Sequence, residues 1–310
     1  MTKLSGRLGY TLCERINVLG KIDVFLLAVN LKGYQLVVSD KAALKKVRQR
    51  ILDAVLFSQD HLNAMVIGLG ALTASATDGG KWLATQNGIH SSITHGDTYA
   101  SLIAAKGIKE ISRTSTVSRP TVGIVGAYGI IGSALCRELS ADYELIMMGR
   151  NNTRLQRLLE SVNGNGRITT QLTDMKNADI VVTATSHPTA LLTPECLKQG
   201  AIVYDVAQPA NSCMELLTAR PDVERIDGSL VNIPGIKINF DMRNSRGSTF
   251  ACLGETMIMG LERINGHHVG DVDIEHMRRL QPLGHKYGFT HAEFTSFGKP
   301  LNLRGAKDGG

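Results

Sequence analysis

Cys252 and a run of spaced glycines are the residues of this 310-residue chain whose types and surroundings could do chemistry. Cys252 stands in Ser248-Thr-Phe-Ala-Cys-Leu-Gly-Glu255, near the start of an expected helix over Thr249–Ile264. A helix N-terminus favours the thiolate, the nucleophilic form of cysteine. Read from the residues alone, Cys252 stays open between a nucleophile and a core cysteine, because a thiol in an apolar run is ordinarily buried packing. Glu255, one turn on, could position a water or a thiol, or orient a helix terminus through a hydrogen bond. Among the histidines, His187 follows an expected strand and His95 sits in Thr94-His-Gly-Asp-Thr98. Either is a candidate proton donor or a structural residue, since sequence shows no pairing partner for them. Asp97 or Thr98 could cap the helix that follows.

The second group is Gly126-Ala-Tyr-Gly129-Ile-Ile-Gly132, between an apolar run and a helical one. Gly126 permits a tight turn, Gly129 lets backbone approach a pyrophosphate, and Gly132 lets helix and strand pack closely. The helix N-terminus then offers its unpaired N–H groups to phosphate oxygens. Gly126, Tyr128, Gly129, Ile130, Ile131 and Ser133 are therefore the expected cofactor loop. Thr185 and Ser186, after a later strand, are expected to complete it. Where an NAD-binding chain places an acid to hold the ribose hydroxyls, this one has Gly149-Arg150-Asn151-Asn152-Thr153-Arg154. Arg150, Asn151 and Arg154 suit a 2′-phosphate, and NADPH is the expected cofactor.

The elements that must hold these groups follow from periodicity. The apolar runs 121–126, 143–149, 179–185 and 201–207 are what a parallel sheet buried on both faces needs. Helices are expected at 130–139, 152–162 and 193–198. Before them come strands at 23–29 and 34–39 joined by the turn 30–33, and helices at 41–56 and 99–111. A helix over Asp273–Tyr287 follows the Cys252 helix, and the last ten residues read as a frayed tail. The fold class is α/β: an N-terminal α/β substrate lobe (1–118), a Rossmann-type domain (119–240), and C-terminal helices (241–310) that return to the cleft with the nucleophile. The loop-like stretch 112–120 marks the first boundary.

Composition bounds the function. The chain is 43% hydrophobic with mean hydropathy near zero, and no apolar stretch is long enough to span a bilayer. Five scattered cysteines without a CxxC pair, and no evident secretory signal, suit a reduced, cytoplasmic protein. A formal charge of +6 suits an anionic partner such as a phosphorylated cofactor or an acidic carrier protein. The basic cluster Lys41, Lys45, Lys46, Arg48 and Arg50 reads as a solvated helix face. Only 5% aromatics and no recognised motif speak against nucleic-acid binding. His267-His268 lacks ligand spacing, so no metal is expected. A homo-oligomer is compatible with the chain.

The order of motifs resembles the long-chain acyl-[acyl-carrier-protein] reductases of cyanobacteria. The pieces that carry the resemblance are Gly68-Leu-Gly-Ala-Leu-Thr, Thr94-His-Gly-Asp-Thr, Gly126-Ala-Tyr-Gly-Ile-Ile-Gly-Ser, Gly149-Arg150-Asn151 and Asp179-Ile-Val-Val. Ile202-Val-Tyr-Asp205, Phe250-Ala-Cys-Leu-Gly-Glu255 and His285-Lys-Tyr-Gly-Phe289 extend it. The resemblance implies NADPH reduction of an acyl thioester, on a carrier protein or coenzyme A, to an aldehyde. The acylated cysteine falls on Cys252, with Glu255 after it, and His187 and Asp97 are expected in the catalytic set. This chain departs from the family at Tyr128 (typically Thr), Asp97 (Asn), Ser186-His187-Pro188 (Ser-Met-Pro) and Asp205-Val-Ala-Gln-Pro209 (a glycine-rich run). Two alternatives stay open: a shikimate-dehydrogenase-like ketone or imine reductase without covalent catalysis, and an NADPH-binding protein without turnover.

Overall fold

Leu19 and Gly20 both have positive φ (55° and 69°), a reversal that joins strands β1 (Tyr10–Val18) and β2 (Ile22–Val29) in an antiparallel hairpin. The computed structural model from which this is read describes residues 9–37, 40–114, 117–242 and 244–303. The expected strand over 34–39 is replaced by a short helix α1 (Gly33–Leu36), with Val38 and Ser39 outside the described residues. The Lys32 N–H donates to the Gln35 side-chain oxygen at 2.9 Å and the Gln35 N–H to the Lys32 carbonyl at 2.9 Å, closing a helical turn. The partner of β2 is β1, which precedes it in the chain.

Helix α2 (Lys41–Leu62) starts where the Asp40 carboxylate accepts the Ala43 N–H at 2.7 Å, and stops at Asn63 in the left-handed region. Strand β3 (Val66–Gly68), helices α3 (Leu72–Ala76) and α4 (Lys81–Ala84), strand β4 (Ser92–Thr94) and helix α5 (Asp97–Thr114) follow. Strands β3 and β4 pair in parallel with Gly68 opposite Thr94. Val47, Ile51 and Val55 of α2 pack with Leu69, Leu83 and Ile93 as one buried cluster.

From Thr121 the chain alternates strand and helix: β5 (Thr121–Val125), α6 (Ile130–Leu139), β6 (Glu144–Met148), α7 (Asn152–Ser161) and β7 (Arg167–Thr169). Then come β8 (Ile180–Thr183), β9 (Ile202–Asp205), α8 (Met214–Ala219) and β10 (Glu224–Asp227). All six strands are parallel, in the order β10-β9-β8-β5-β6-β7. The order reverses at β5, the position where open α/β sheets bind ligands beyond their strand ends. Leu145 and Met147 of β6 bury on one face with α6 and α7, whereas Ile146 buries on the other. That is why these runs are apolar at nearly every position. The helix expected at 193–198 is one 3₁₀ turn, Pro194–Cys196.

Strands β11 (Leu230–Asn232) and β12 (Ser248–Phe250) lead into α9 (Ala251–Leu261), and α10 (Ile274–Lys286) starts at Asp273, whose carboxylate accepts the Glu275 and His276 N–H groups. The chain divides into two compact units: residues up to Ala100 with Val231–Thr290, and Ser101–Leu230 with the residues from His291 on. The division falls within α5, so the loop boundary expected near 118 lies inside the second unit. The segment carrying Cys252 is in the first unit with the N-terminal residues.

Candidate functional site

In the first unit, Cys252 sits in the first turn of α9, whose N-cap Phe250 offers no side-chain hydrogen bond. Gly96 decides how closely other backbone can approach it. Gly96 has φ +74°, and a Cβ built there would lie 2.5 Å from Cys252 Cβ and 2.6 Å from Cys252 O. No residue with a side chain fits that contact. Gly68 is constrained in the same way, since its missing Cβ would overlap the Thr256 hydroxyl.

Glu255 holds the arrangement from below. Its carboxylate is fully buried, and Oε1 accepts the Thr94 hydroxyl at 2.5 Å while Oε2 accepts the Tyr99 N–H at 2.7 Å. The Thr94 hydroxyl in turn accepts the Gly96 N–H at 2.9 Å. Tyr99 is the third residue of α5, so a carboxylate from α9 caps α5 from outside its own chain segment. His276 Nε2 lies 3.4 Å from Oε1, an ion-pair distance, and the His276 ring stacks on His268 with centroids 3.4 Å apart. Burial pushes the Glu255 carboxyl up, but His276, the Thr94 hydroxyl and the Tyr99 N–H outweigh it and leave it below the ordinary range. Of the roles open to Glu255 in sequence, the geometry supports orientation of a helix terminus.

Asp97 opens α5, with its N–H donated to His95 Nδ1 at 2.8 Å and a fifth of its side-chain surface exposed. Burial, and then the Glu255 charge, raise its carboxyl to about 7. The Cys252 thiol is pushed up to about 12, by burial first and the Asp97 charge second, while the N–H groups of Leu253 and Cys252 act in the opposite sense. The lowered thiol pKa expected from the helix N-terminus is thus reversed: desolvation and a neighbouring carboxylate exceed the helix-end effect. His95 is buried and burial lowers its pKa; its Nδ1 accepts a hydrogen bond, so the neutral ring carries its proton on Nε2.

In the second unit, Gly126 (φ +88°) turns the chain after β5, and a Cβ there would lie 2.6 Å from the Ala184 carbonyl oxygen. A Cβ on Gly132 would overlap the Gly126 carbonyl oxygen. Gly129 caps α6 without a side chain, and Ile130 and Ile131 open the helix. The Ser133 hydroxyl donates to the Ile130 carbonyl at 3.2 Å. At the end of β6, Arg150 and Arg154 are exposed and the Asn151 side chain caps α7 by accepting the Arg154 N–H at 3.0 Å. The bare backbone at Gly126 and Gly129, a helix N-terminus and two arginines fit a dinucleotide with its phosphates on α6.

The Thr185 hydroxyl donates to the Asn211 side chain at 2.7 Å and accepts the His187 N–H at 3.1 Å. Ser186 and His187 are exposed, and His187 Nδ1 lies 3.1 Å from the Thr189 carbonyl. Under these loops, buried Asp205 accepts the Thr183 hydroxyl at 2.5 Å and the N–H groups of Asn211 and Ser212, with Arg225 3.4 Å away. Cys252, Glu255 and Asp97 therefore belong to one cluster, with His95 beside them. His187 belongs to the second unit's loops. Thr94, Tyr99 and His276 complete the Glu255 network. Thr94 lies in a motif that sequence singles out, but His276 is 21 residues from Glu255 on another helix, and no spacing signals that meeting. Among the described residues no group of three or more His, Cys, Asp or Glu could hold a metal ion.

Residues 109–220 match the family model of shikimate/quinate 5-dehydrogenases. A long-chain acyl-[acyl-carrier-protein] reductase of Synechococcus elongatus is 26% identical over 213 residues, covering 63% of this chain and 61% of that protein. The chain thus spans about three-fifths of the length of the curated relative it matches. Among solved structures, a dipicolinate synthase of Bacillus halodurans has a TM-score of 0.37 at 14% identity, over 52% of this chain and 56% of that one. Quinate dehydrogenase of Corynebacterium glutamicum in complex with NAD has a TM-score of 0.32 at 21% identity, over 44% and 52%. With the glycine loop and the six-stranded parallel sheet, the family match gives residues 109–220 a shikimate/quinate dehydrogenase-like dinucleotide-binding fold.

Two outcomes follow from the Glu255 and Gly96 geometry. The folded pKa of Glu255 lies below its unfolded value of about 4.3, so its contribution to stability is present above that pH and is lost as pH falls through the folded value. Urea unfolding should show that acid loss in the wild type and a flatter acid limb in Glu255→Gln. Gly96→Ala, forced to a positive φ against Cys252, should lower stability by about 1–3 kcal/mol in the same assay. A wild-type-like midpoint would contradict the packing described.

Proposed function

We propose that this protein reduces an acyl thioester to an aldehyde with NADPH, through an acyl group carried on Cys252. The observation that carries the reading is Cys252 in the first turn of α9 against the side-chain-free Gly96, beside a carboxyl raised to about 7. A core cysteine needs neither an ionisable neighbour nor a glycine at positive φ to admit it. The resemblance to the acyl-carrier-protein reductases agrees, with 26% identity to one such protein.

The residues divide the work as follows. Ionised Asp97 accepts the Cys252 proton, and the sulfur bonds to the acyl carbon as the carbon–sulfur bond to the carrier breaks. The proton leaves with the carrier thiolate, so Asp97 is ionised again. When bound, NADPH supplies the hydride that reduces the acyl carbon. N–H groups in the first turn of α9 are the candidate donors to the oxyanion of each stage, each worth about 3–4 kcal/mol. Collapse of the Cys252 thiohemiacetal oxyanion breaks its carbon–sulfur bond and releases aldehyde, and the expelled thiolate takes up one proton from solvent, relayed by Asp97. Glu255 is a positioning residue, fixing the terminus of α5 that carries Asp97. Arg150 and Arg154 bind the 2′-phosphate that distinguishes NADPH from NADH. The net positive charge suits an acyl group delivered on an acidic carrier protein.

The family match over 109–220 favours a second reading, reduction of a ketone or imine without a covalent intermediate. That match stops short of Cys252, so the thiol separates the two readings. Incubated with acyl-carrier thioester and no NADPH, the protein should gain the acyl mass, Cys252→Ala should not, and added NADPH should discharge the adduct to aldehyde. Absence of an adduct across several chain lengths, with turnover of ketones retained in Cys252→Ala, would establish the second reading instead. Because Asp97 acts as a base that is ionised above about 7, the single-turnover acylation rate should rise through that pH and level off above it. Asp97→Asn should lower the plateau about 100-fold or more and remove the inflection near 7.

A further inference from the structure

We infer that Tyr128 is the positioning residue for the recognition of the cofactor's 2′-phosphate, holding the two arginines that would read it; the inference rests on the NADPH reading above. The glycine loop needs only small residues for a dinucleotide to approach, and a tyrosine in it is a large group to accommodate. The structure accommodates it against the core of the second unit and beside Gly149. The Tyr128 ring lies over Gly149 at the end of β6, where any Cβ would overlap the ring, so the glycine before Arg150 is required by the tyrosine.

From there the side chain organises the β6–α7 turn. Its hydroxyl oxygen accepts the N–H of Arg150 at 3.0 Å and the N–H of Asn151 at 3.2 Å. Its ring carries the Arg154 guanidinium on its face, 4.3 Å from the centroid, and its carbonyl accepts Arg154 Nη2 at 3.3 Å. One residue of the cofactor loop therefore fixes the backbone of the first arginine and the head group of the second. A free arginine side chain must surrender its rotamer freedom on meeting a phosphate; one already stacked on an aromatic ring and hydrogen-bonded has surrendered much of it. Both arginines remain exposed, and a guanidinium has five N–H donors, so donors are left over for a dianionic phosphate. The turn also ends at the N-terminus of α7, whose dipole favours an anion at the same place. Removing the tyrosine would leave the arginines in the sequence but would release their geometry.

The test uses binding, so it does not depend on turnover. Adenosine 2′,5′-bisphosphate and ADP are titrated by calorimetry into the wild type, Tyr128→Phe and Tyr128→Thr. The wild type should prefer the 2′-phosphate compound. Tyr128→Thr should weaken that compound about tenfold or more and leave ADP within about twofold; Tyr128→Phe, keeping the ring under Arg154 and losing the hydroxyl, should lose about threefold. Arg154→Lys, which keeps charge without the planar fork, should resemble Tyr128→Thr. Equal weakening of both nucleotides by Tyr128→Thr and Tyr128→Phe would make Tyr128 a general support of the loop and overturn the inference while NADPH stands. A wild type that binds both compounds equally would overturn the NADPH reading itself. If Tyr128→Thr does not fold, Tyr128→Phe decides: an unchanged preference overturns the inference.

Discussion

A carboxylate taken out of water stays ionised only where the protein replaces the hydration it has lost, and Glu255 shows what that replacement fixes. It has no exposed surface, and its oxygens are met by the Thr94 hydroxyl, the Tyr99 N–H and the His276 ring. Each partner comes from a different element: β4, the first turn of α5, and α10. Glu255 itself is on α9, one turn beyond Cys252. Satisfying one buried charge therefore sets where α9 begins relative to the β4–α5 turn. Gly96 lies in that turn, and only glycine allows the contact with Cys252 that results. Thr94 links the two constraints, because its hydroxyl donates to Glu255 and accepts from Gly96.

The same carboxylate sets the electrostatics. Its charge adds to burial in raising Asp97 to about 7, and Asp97 adds to burial in holding Cys252 as a thiol. A helix N-terminus acts on the thiol in the other direction, but the N–H groups of Cys252 and Leu253 do not offset desolvation together with a nearby negative charge. In the proposed mechanism the proton of a thiol so held passes to Asp97, the carboxyl raised to about 7. The His276 ring beside Glu255 stacks in turn on His268.

In the second unit the governing constraint is steric. Gly126, Gly132 and Gly149 are each held to a bare Cα by a different neighbour: the Ala184 carbonyl, the Gly126 carbonyl and the Tyr128 ring. The first two belong to any loop that brings backbone to phosphate. The third is set by the Tyr128 ring, which any Cβ at 149 would overlap. The buried Asp205 cluster, with Thr183, Asn211, Ser212 and Arg225, fixes the loops after β8 and β9 by the same exchange of water for hydrogen bonds that operates at Glu255.

The sequence by itself determined whatever depends on local pattern. The runs of β5, β6, β8 and β9 are apolar at almost every position because both faces of a parallel sheet are buried, and glycines at 126, 129 and 132 mark the turn after its first strand. The starts of α2 and α10 are local because Asp40 and Asp273 cap them through contacts between near neighbours in the chain. Tertiary structure decided what depends on residues far apart. Residues 34–36 are helical because Gln35 closes a turn on Lys32 and β2 already has a partner in β1, whose mixed burial hid it as a strand. The pairing of Glu255 with Thr94, Tyr99 and His276 joins α9 to three other elements across up to 161 residues, and the upward shift of the Cys252 thiol follows from burial that no spacing reveals. Residue types named the groups that could react; the fold decided which of them share an environment, and an ionisable group takes its chemistry from that environment.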